Sequence, residues 1–216
     1  MSDIFDGLGD EARQRLRDVE PDDPRPFDPQ CGEWQGPMLA TLSHDSFSDP
    51  DWIYERKLDG ERCIASRQGD EIRLLSRNAQ ALNDTYPELV EALAEQPTQD
   101  FVVDGEIVAF DGDVTSFRRL QQRMKLKDPD AARNSGVAVY FYLFDIPYLQ
   151  GKDCSDLGLR ARKTLLRKAL RFDDPLRFTE HRNEQGEAFL REACDKGWEG
   201  LIAKRADAPY TTSRSR

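Results

Sequence analysis

The sequence predicts an α+β domain with antiparallel sheets flanked by helices. Three observations carry that reading. Residues 52–78, "WIYERKLDGERCIASRQGDEIRLLSRN", read as three short strands joined by tight turns. Two further runs, "FVVDGEIVAF" (101–110) and "VAVYFYLFDI" (137–146), read as longer strands. Helical patterns fall between strands irregularly and no internal repeat exists, which favours hairpins and mixed pairs over a doubly wound sheet.

In chain order, a short amphipathic helix near residues 9–18 precedes "EPDDPRPFDPQCGEWQGP", a proline-rich linker excluded from the folded core. Residues 1–36 are thus assigned to the helix and linker, and 37–216 to the globular domain. After the three strands, "YPELVEALAEQ" places Leu89 and Leu93 one helical turn apart. The strand at 101–110 ends at "DGD", and a helix at 115–124 follows. Beyond the strand at 137–146 come a helix (159–170), a short strand near "LRFTE", a helix (185–196) and a final strand, "EGLIAKR".

Composition narrows the function classes. No apolar run is long enough to cross a bilayer, and the acidic N-terminus is not a signal peptide, so a soluble, unexported protein is expected. Cys31, Cys63, Cys154 and Cys194 form no C-x-x-C pair, and reduced thiols are expected. His44 and His181 are the only histidines, which disfavours a His-rich metal site. The net charge of −10 is unhelpful for binding nucleic acid. Basic residues nonetheless gather in 114–127 ("VTSFRRLQQRMKLK") and 159–172 ("LRARKTLLRKALRF"). Solvated helix faces are the default reading of both, and a cationic face is the alternative.

Strand alternation places Ile53, Glu55 and Lys57 on one face of the first strand, an acid and an amine side by side. At 101–110 it places Phe101, Val103, Gly105, Ile107 and Ala109 on one face, with Asp104 and Glu106 among apolar residues on the other. Carboxylates on such a face must be paired, hydrogen-bonded or coordinating something.

Lys57-Leu58-Asp59-Gly60-Glu61-Arg62 spells K-x-D-G-x-R. Together with "PMLATL", "LLSRN", "VDGEIVAF", "VYFYLFDIPYL" and "EGLIAKR" in that order, it resembles the covalent nucleotidyltransferases. This superfamily comprises DNA ligases, RNA ligases and capping enzymes. From about Pro37 onward the likeness is to ATP-dependent DNA ligases, in particular the ligase domain of bacterial and archaeal end-joining ligases. The resemblance implies their ATP-grasp-like nucleotidyltransferase fold and a lysine that takes AMP from ATP and passes it to the 5′-phosphate of a nick. Such a lysine must be deprotonated to attack, against an ordinary pKa near ~10.4. The resemblance makes Lys57 that nucleophile. It gives Glu55 the adenine amine, Arg62 the ribose, Arg77 a phosphate, Glu106 the ribose with a possible metal contact, Phe144 base stacking, and Glu199 the metal, Mg²⁺ or Mn²⁺. On pattern alone Phe144 could equally be core, sharing a face with Tyr140, Tyr142 and Ile146. Lys204 stays unassigned, because straight alternation puts it opposite Glu199.

The family continues with a K-x-K motif and an OB-fold that are expected beyond Arg216. The chain therefore reads as a nucleotidyltransferase domain cut before its last strand, weak or inactive alone. Its implied partners are nicked duplex DNA and the OB-fold domain, in a monomer in a prokaryotic cytoplasm. An RNA ligase or capping-type enzyme, or a non-catalytic nucleotide-binding remnant, are the competing readings.

Overall fold

Strands β2 (Trp52–Arg56), β3 (Glu61–Gln68) and β4 (Glu71–Ser76) form where three strands are predicted, but they divide between two sheets. β3 and β4 are an antiparallel hairpin, whereas β2 belongs elsewhere. The segment Lys57–Gly60 thus carries the chain from one sheet to the other. A computed structural model describes residues 4–20, 23, 36–43 and 45–212. Most of the proline-rich linker, Cys31 and His44 lie outside them.

The larger sheet has seven strands. Its path is β1 (Arg17–Asp18), β9 (Lys152–Asp153), β8 (Tyr140–Leu149), β5 (Asp100–Val108), β3 and β4. β10 (Leu176–Phe178) joins β8 in parallel, the one parallel pair among the described strands. The smaller sheet is antiparallel, with β2 between β11 (His181–Asn183) and β12 (Leu201–Arg205). β6 (Phe110–Asp111) and β7 (Val114–Thr115) form a hairpin.

The predicted apolar face of β5 is the core face. Phe101, Val103, Ile107 and Ala109 are fully buried there with Leu89 and Leu93 of α2 (Pro87–Ala94) and Leu120 of α3 (Phe117–Met124). Leu165 and Leu166 of α5 (Leu159–Ala169) join the same cluster. Each of these side chains larger than alanine contributes about 1.5–3 kcal/mol of burial. The opposite face of β5, carrying Asp104 and Glu106, turns toward the smaller sheet and forms one wall of a cavity.

The N-terminal helix is shorter than its pattern. α1 spans Asp10–Gln14 without a side-chain cap, because Arg17 and Asp18 pair with β9 and cover that edge of the sheet. Phe5 is buried in the main core. α4 (Pro129–Arg133), β11 and the short edge strands were not expected. Too few residues carry any period in segments of two to five. α6 (Gly186–Asp195) matches its prediction.

The two basic stretches are not simply solvated. Arg123 of α3 and Arg162 and Lys163 of α5 are among the largest fully buried side chains. Arg123 donates to both Glu88 oxygens, at 2.7 and 2.5 Å, and to the Thr85 carbonyl at 2.8 Å, tying α3 to α2. Arg162 grips Asp145 at 2.7 and 3.0 Å.

Candidate nucleotide-binding site

A cavity of about 360 Å³ opens between the two sheets. Its position follows from the K-x-D-G-x-R segment. Asp59 accepts from the Phe117 amide at 3.0 Å, so the motif aspartate supplies a carboxylate to the start of α3, whose first turn has none of its own. Gly60 is there for proximity. A Cβ at this position would lie 2.2 Å from the Ile107 carbonyl oxygen and 2.8 Å from Val108 Cγ1. Gly105 of "VDGE" is similar, with a Cβ only 2.5 Å from the Tyr142 carbonyl oxygen. Both D-G pairs therefore let backbones approach where β2 hands over to β3 and β5 packs on β8.

Five of the seven predicted site residues line the cavity: Glu55, Lys57, Arg62, Glu106 and Phe144. Lys57 follows β2, and its amide donates to the Gly200 carbonyl at 2.9 Å. That bond brings Glu199 beside it, and the Lys57 ammonium pairs with the Glu199 carboxylate at the solvent side. Arg77 is exposed on the turn after β4 and does not line the cavity.

Glu55 is only 2% exposed and binds two ammonium groups. Lys163 Nζ donates to Oε1 at 2.5 Å, and Lys204 donates to Oε2. Burial pushes the Glu55 carboxyl up, but the adjacent Lys204 and Lys163 outweigh it and hold it below its ordinary value. For Lys163, burial dominates and repulsion from Lys204 adds to it, so its pKa falls despite Glu55. Two amines thus share one carboxylate.

Lys204 was separated from Glu199 by counting alternation through residue 199. The strand begins only at Leu201, and its register sets Ile202 opposite Glu55 and Lys204 opposite Ile53. Cross-strand partners share a face, so Lys204 stands on the Glu55 face. Lys163 had a readable signal as well. Leu159, Arg162, Lys163 and Leu166 fall at i, i+3, i+4 and i+7, which places two cations on the buried stripe of α5.

Arg62 is fixed by a fork. Its Nε and Nη2 donate to the two Asp104 oxygens at 2.6 and 2.7 Å, and Tyr210 donates its hydroxyl to the same carboxylate at 2.6 Å. The Arg62 guanidinium lies 4.5 Å from the Phe144 ring centroid, and Lys204 Nζ lies 4.2 Å from it. Phe144 is therefore a cavity wall with two cations near its ring rather than part of the main core cluster. Glu106 has no such partner among the described residues. Burial raises its carboxyl to about 7, with Arg62 pulling down and Asp104 pushing up.

A largely antiparallel sheet and a smaller antiparallel one that hold a lysine and an aromatic ring in the cleft between them define this as a nucleotidyltransferase domain of the DNA ligase type. The structure overlays on mycobacterial DNA ligase D complexed with ATP and MES, with a TM-score of 0.68 and 30% identity over 84% of this chain and 57% of that one. Residues 37–216 match the family model for the ATP dependent DNA ligase domain, and the chain belongs to that family. It is 35% identical over 186 residues to the multifunctional non-homologous end joining protein LigD of Pseudomonas aeruginosa, covering 85% of this chain and 21% of that protein. It is 33% identical over 160 residues to a DNA ligase of Natronomonas pharaonis, covering 73% of this chain and 29% of that enzyme. The chain thus spans less than a third of the length of these two curated relatives.

Proposed function

We propose that this domain binds ATP between its sheets and carries AMP on Lys57, as the adenylating part of an enzyme that seals nicks in duplex DNA during repair or recombination. One observation carries the reading. The chain crosses between sheets at Lys57, which puts an amine at the cavity mouth facing Arg62, Glu106 and Phe144.

The chemistry follows from what each group can do. Lys57 Nζ attacks the α-phosphorus, a P–N bond forms, and the bond to pyrophosphate breaks. Glu199, paired with that ammonium, is the nearest acceptor for the proton the amine must lose. Glu55 is kept ionised and so accepts from the exocyclic amine of the base. Phe144 offers a ring face on which the base stacks. Arg62, oriented by Asp104 and Tyr210, presents its remaining donors to the ribose, and Glu106 receives a ribose hydroxyl. Arg77, on an exposed turn, would reach a phosphate only from outside this cavity.

Among the described residues no cluster of three or more His, Cys, Asp or Glu side chains is placed to hold a metal ion. Mg²⁺ needs no such cluster, since it is commonly held by one or two carboxylates with substrate phosphate oxygens and water. Glu106 and Glu199 would supply the carboxylates, and the cation would screen the triphosphate charge.

Sealing of a nicked DNA duplex by the protein containing this chain, with ATP or GTP and against a nicked RNA duplex, tests the assignment. ATP-dependent sealing of DNA is expected. Dependence on GTP, or sealing of RNA alone, would transfer the domain to the capping or RNA-ligase class.

A further inference from the structure

Thr179 follows β10, and its backbone is held at both ends. Its amide donates to the Leu143 carbonyl at 2.8 Å. Its carbonyl accepts from Lys163 Nζ at 2.9 Å, the same ammonium that bonds Glu55. One cation therefore fixes Thr179 beside the Glu55 carboxylate. Thr179 lines the cavity yet is only 4% exposed, and its hydroxyl is buried with no hydrogen-bond partner among the described residues. Buried hydroxyls are nearly always paired, and a valine would fill the same volume without that penalty.

We propose that Thr179 is a base-reading residue whose hydroxyl donates a hydrogen bond to N1 of adenine. The proposal rests on the nucleotide-site reading above and assigns the edge of the base that the site recognises. Adenine presents a donor, its 6-amino group, next to an acceptor, N1. The buried end of the cavity presents the complement, an acceptor-only carboxylate at Glu55 next to a hydroxyl that can donate at Thr179. Guanine reverses both positions. Its O6 would face the Glu55 carboxylate, and its N1–H would oblige Thr179 to turn its hydroxyl and accept. A site built to hydrogen-bond one edge discriminates strongly against its reverse, because mismatched groups are left buried and unpaired. Glu55 then carries most of the rejection of guanine, and the signature particular to Thr179 is dependence on N1.

Equilibrium binding of ATP and of 1-deaza-ATP, in which N1 is replaced by C–H, separates the contributions. For this chain, Thr179→Val is expected to weaken ATP binding about five- to tenfold, the usual worth of one neutral hydrogen bond. Binding of 1-deaza-ATP should be the same in wild type and Thr179→Val, which also shows that the variant cavity is intact. Thr179→Ser, which keeps the hydroxyl, should restore ATP binding. Undiminished ATP binding by Thr179→Val, or equal losses for both nucleotides, would overturn the assignment and leave the nucleotide site standing. Failure of the wild-type chain to bind either nucleotide would overturn the nucleotide site and this proposal together.

Discussion

Asp104 and Glu106 stand two residues apart on one strand face, and their surroundings separate them. Asp104 is fully buried but accepts two bonds from Arg62 and one from Tyr210. Glu106 is half-buried beside the cavity without an equivalent partner among the described residues, and loss of solvent pushes its carboxyl up to about 7. Its ordinary value is 4.5, so between those limits the folded protein holds a proton that the unfolded chain has released. Stability therefore falls as pH rises through this window, by up to about 3 kcal/mol for a shift of this size. Glu106→Gln keeps the shape and removes the titration. Denaturant unfolding should find it close to wild type near about pH 5 and more stable near about pH 8. A gap that is the same at both pH values would contradict this assignment of the buried charge. The rule that a carboxylate on an apolar strand face must be paired or put to use was readable from the sequence; Asp104 meets its first half, and the role proposed for Glu106 is its second. Which half was not readable, since Arg62 and Tyr210 reach Asp104 from 42 and 106 residues away. Thr179 carried no sequence signal at all.

At the scale of elements, strand and helix patterns longer than about seven residues were legible because alternation and helical periodicity repeat within them. α2, α3, α5, α6 and β5 formed where expected, and β8 runs three residues later than the strand read at 137–146. What the pattern could not give was pairing. β2 leaves its apparent hairpin partner for β11 and β12, a choice made by contacts distant in sequence. The basic stretches show the same limit. Charge runs suggested solvated faces, yet Arg123 is buried and forked onto Glu88 between α3 and α2. Truncating one partner of a buried pair leaves the other uncompensated, so Arg123→Ala should cost about 3–5 kcal/mol. Arg118, five residues earlier, has a side chain 88% exposed and, among the described residues, only a distant partner in Asp111. Its alanine variant should lie within about 0.5 kcal/mol of wild type. Chemical denaturation of both variants makes the comparison, and similar effects would mean that α3 is not anchored through Arg123.

For the whole molecule, the site is where the two sheets meet, and the motif that identified the family is also the crossing between them. Asp59 and Gly60 serve the crossing, through the start of α3 and the close approach to β5. Lys57 and Arg62 flank it and face the cavity. The net charge is −10, and of the two cationic stretches Arg123, Arg162 and Lys163 are buried while Arg118, Arg119, Lys125, Lys127, Arg160, Arg167, Lys168 and Arg171 stay exposed, so any contact of these stretches with DNA phosphates falls to those eight. The central claim is the covalent step at Lys57. Incubation of the protein containing this chain with Mg²⁺ and ATP labelled at its α-phosphorus, followed by peptide mapping, tests it most directly. The account predicts one AMP attached to the peptide containing Lys57, released by added pyrophosphate and absent from Lys57→Ala. Label that persists at the wild-type yield in Lys57→Ala would contradict it.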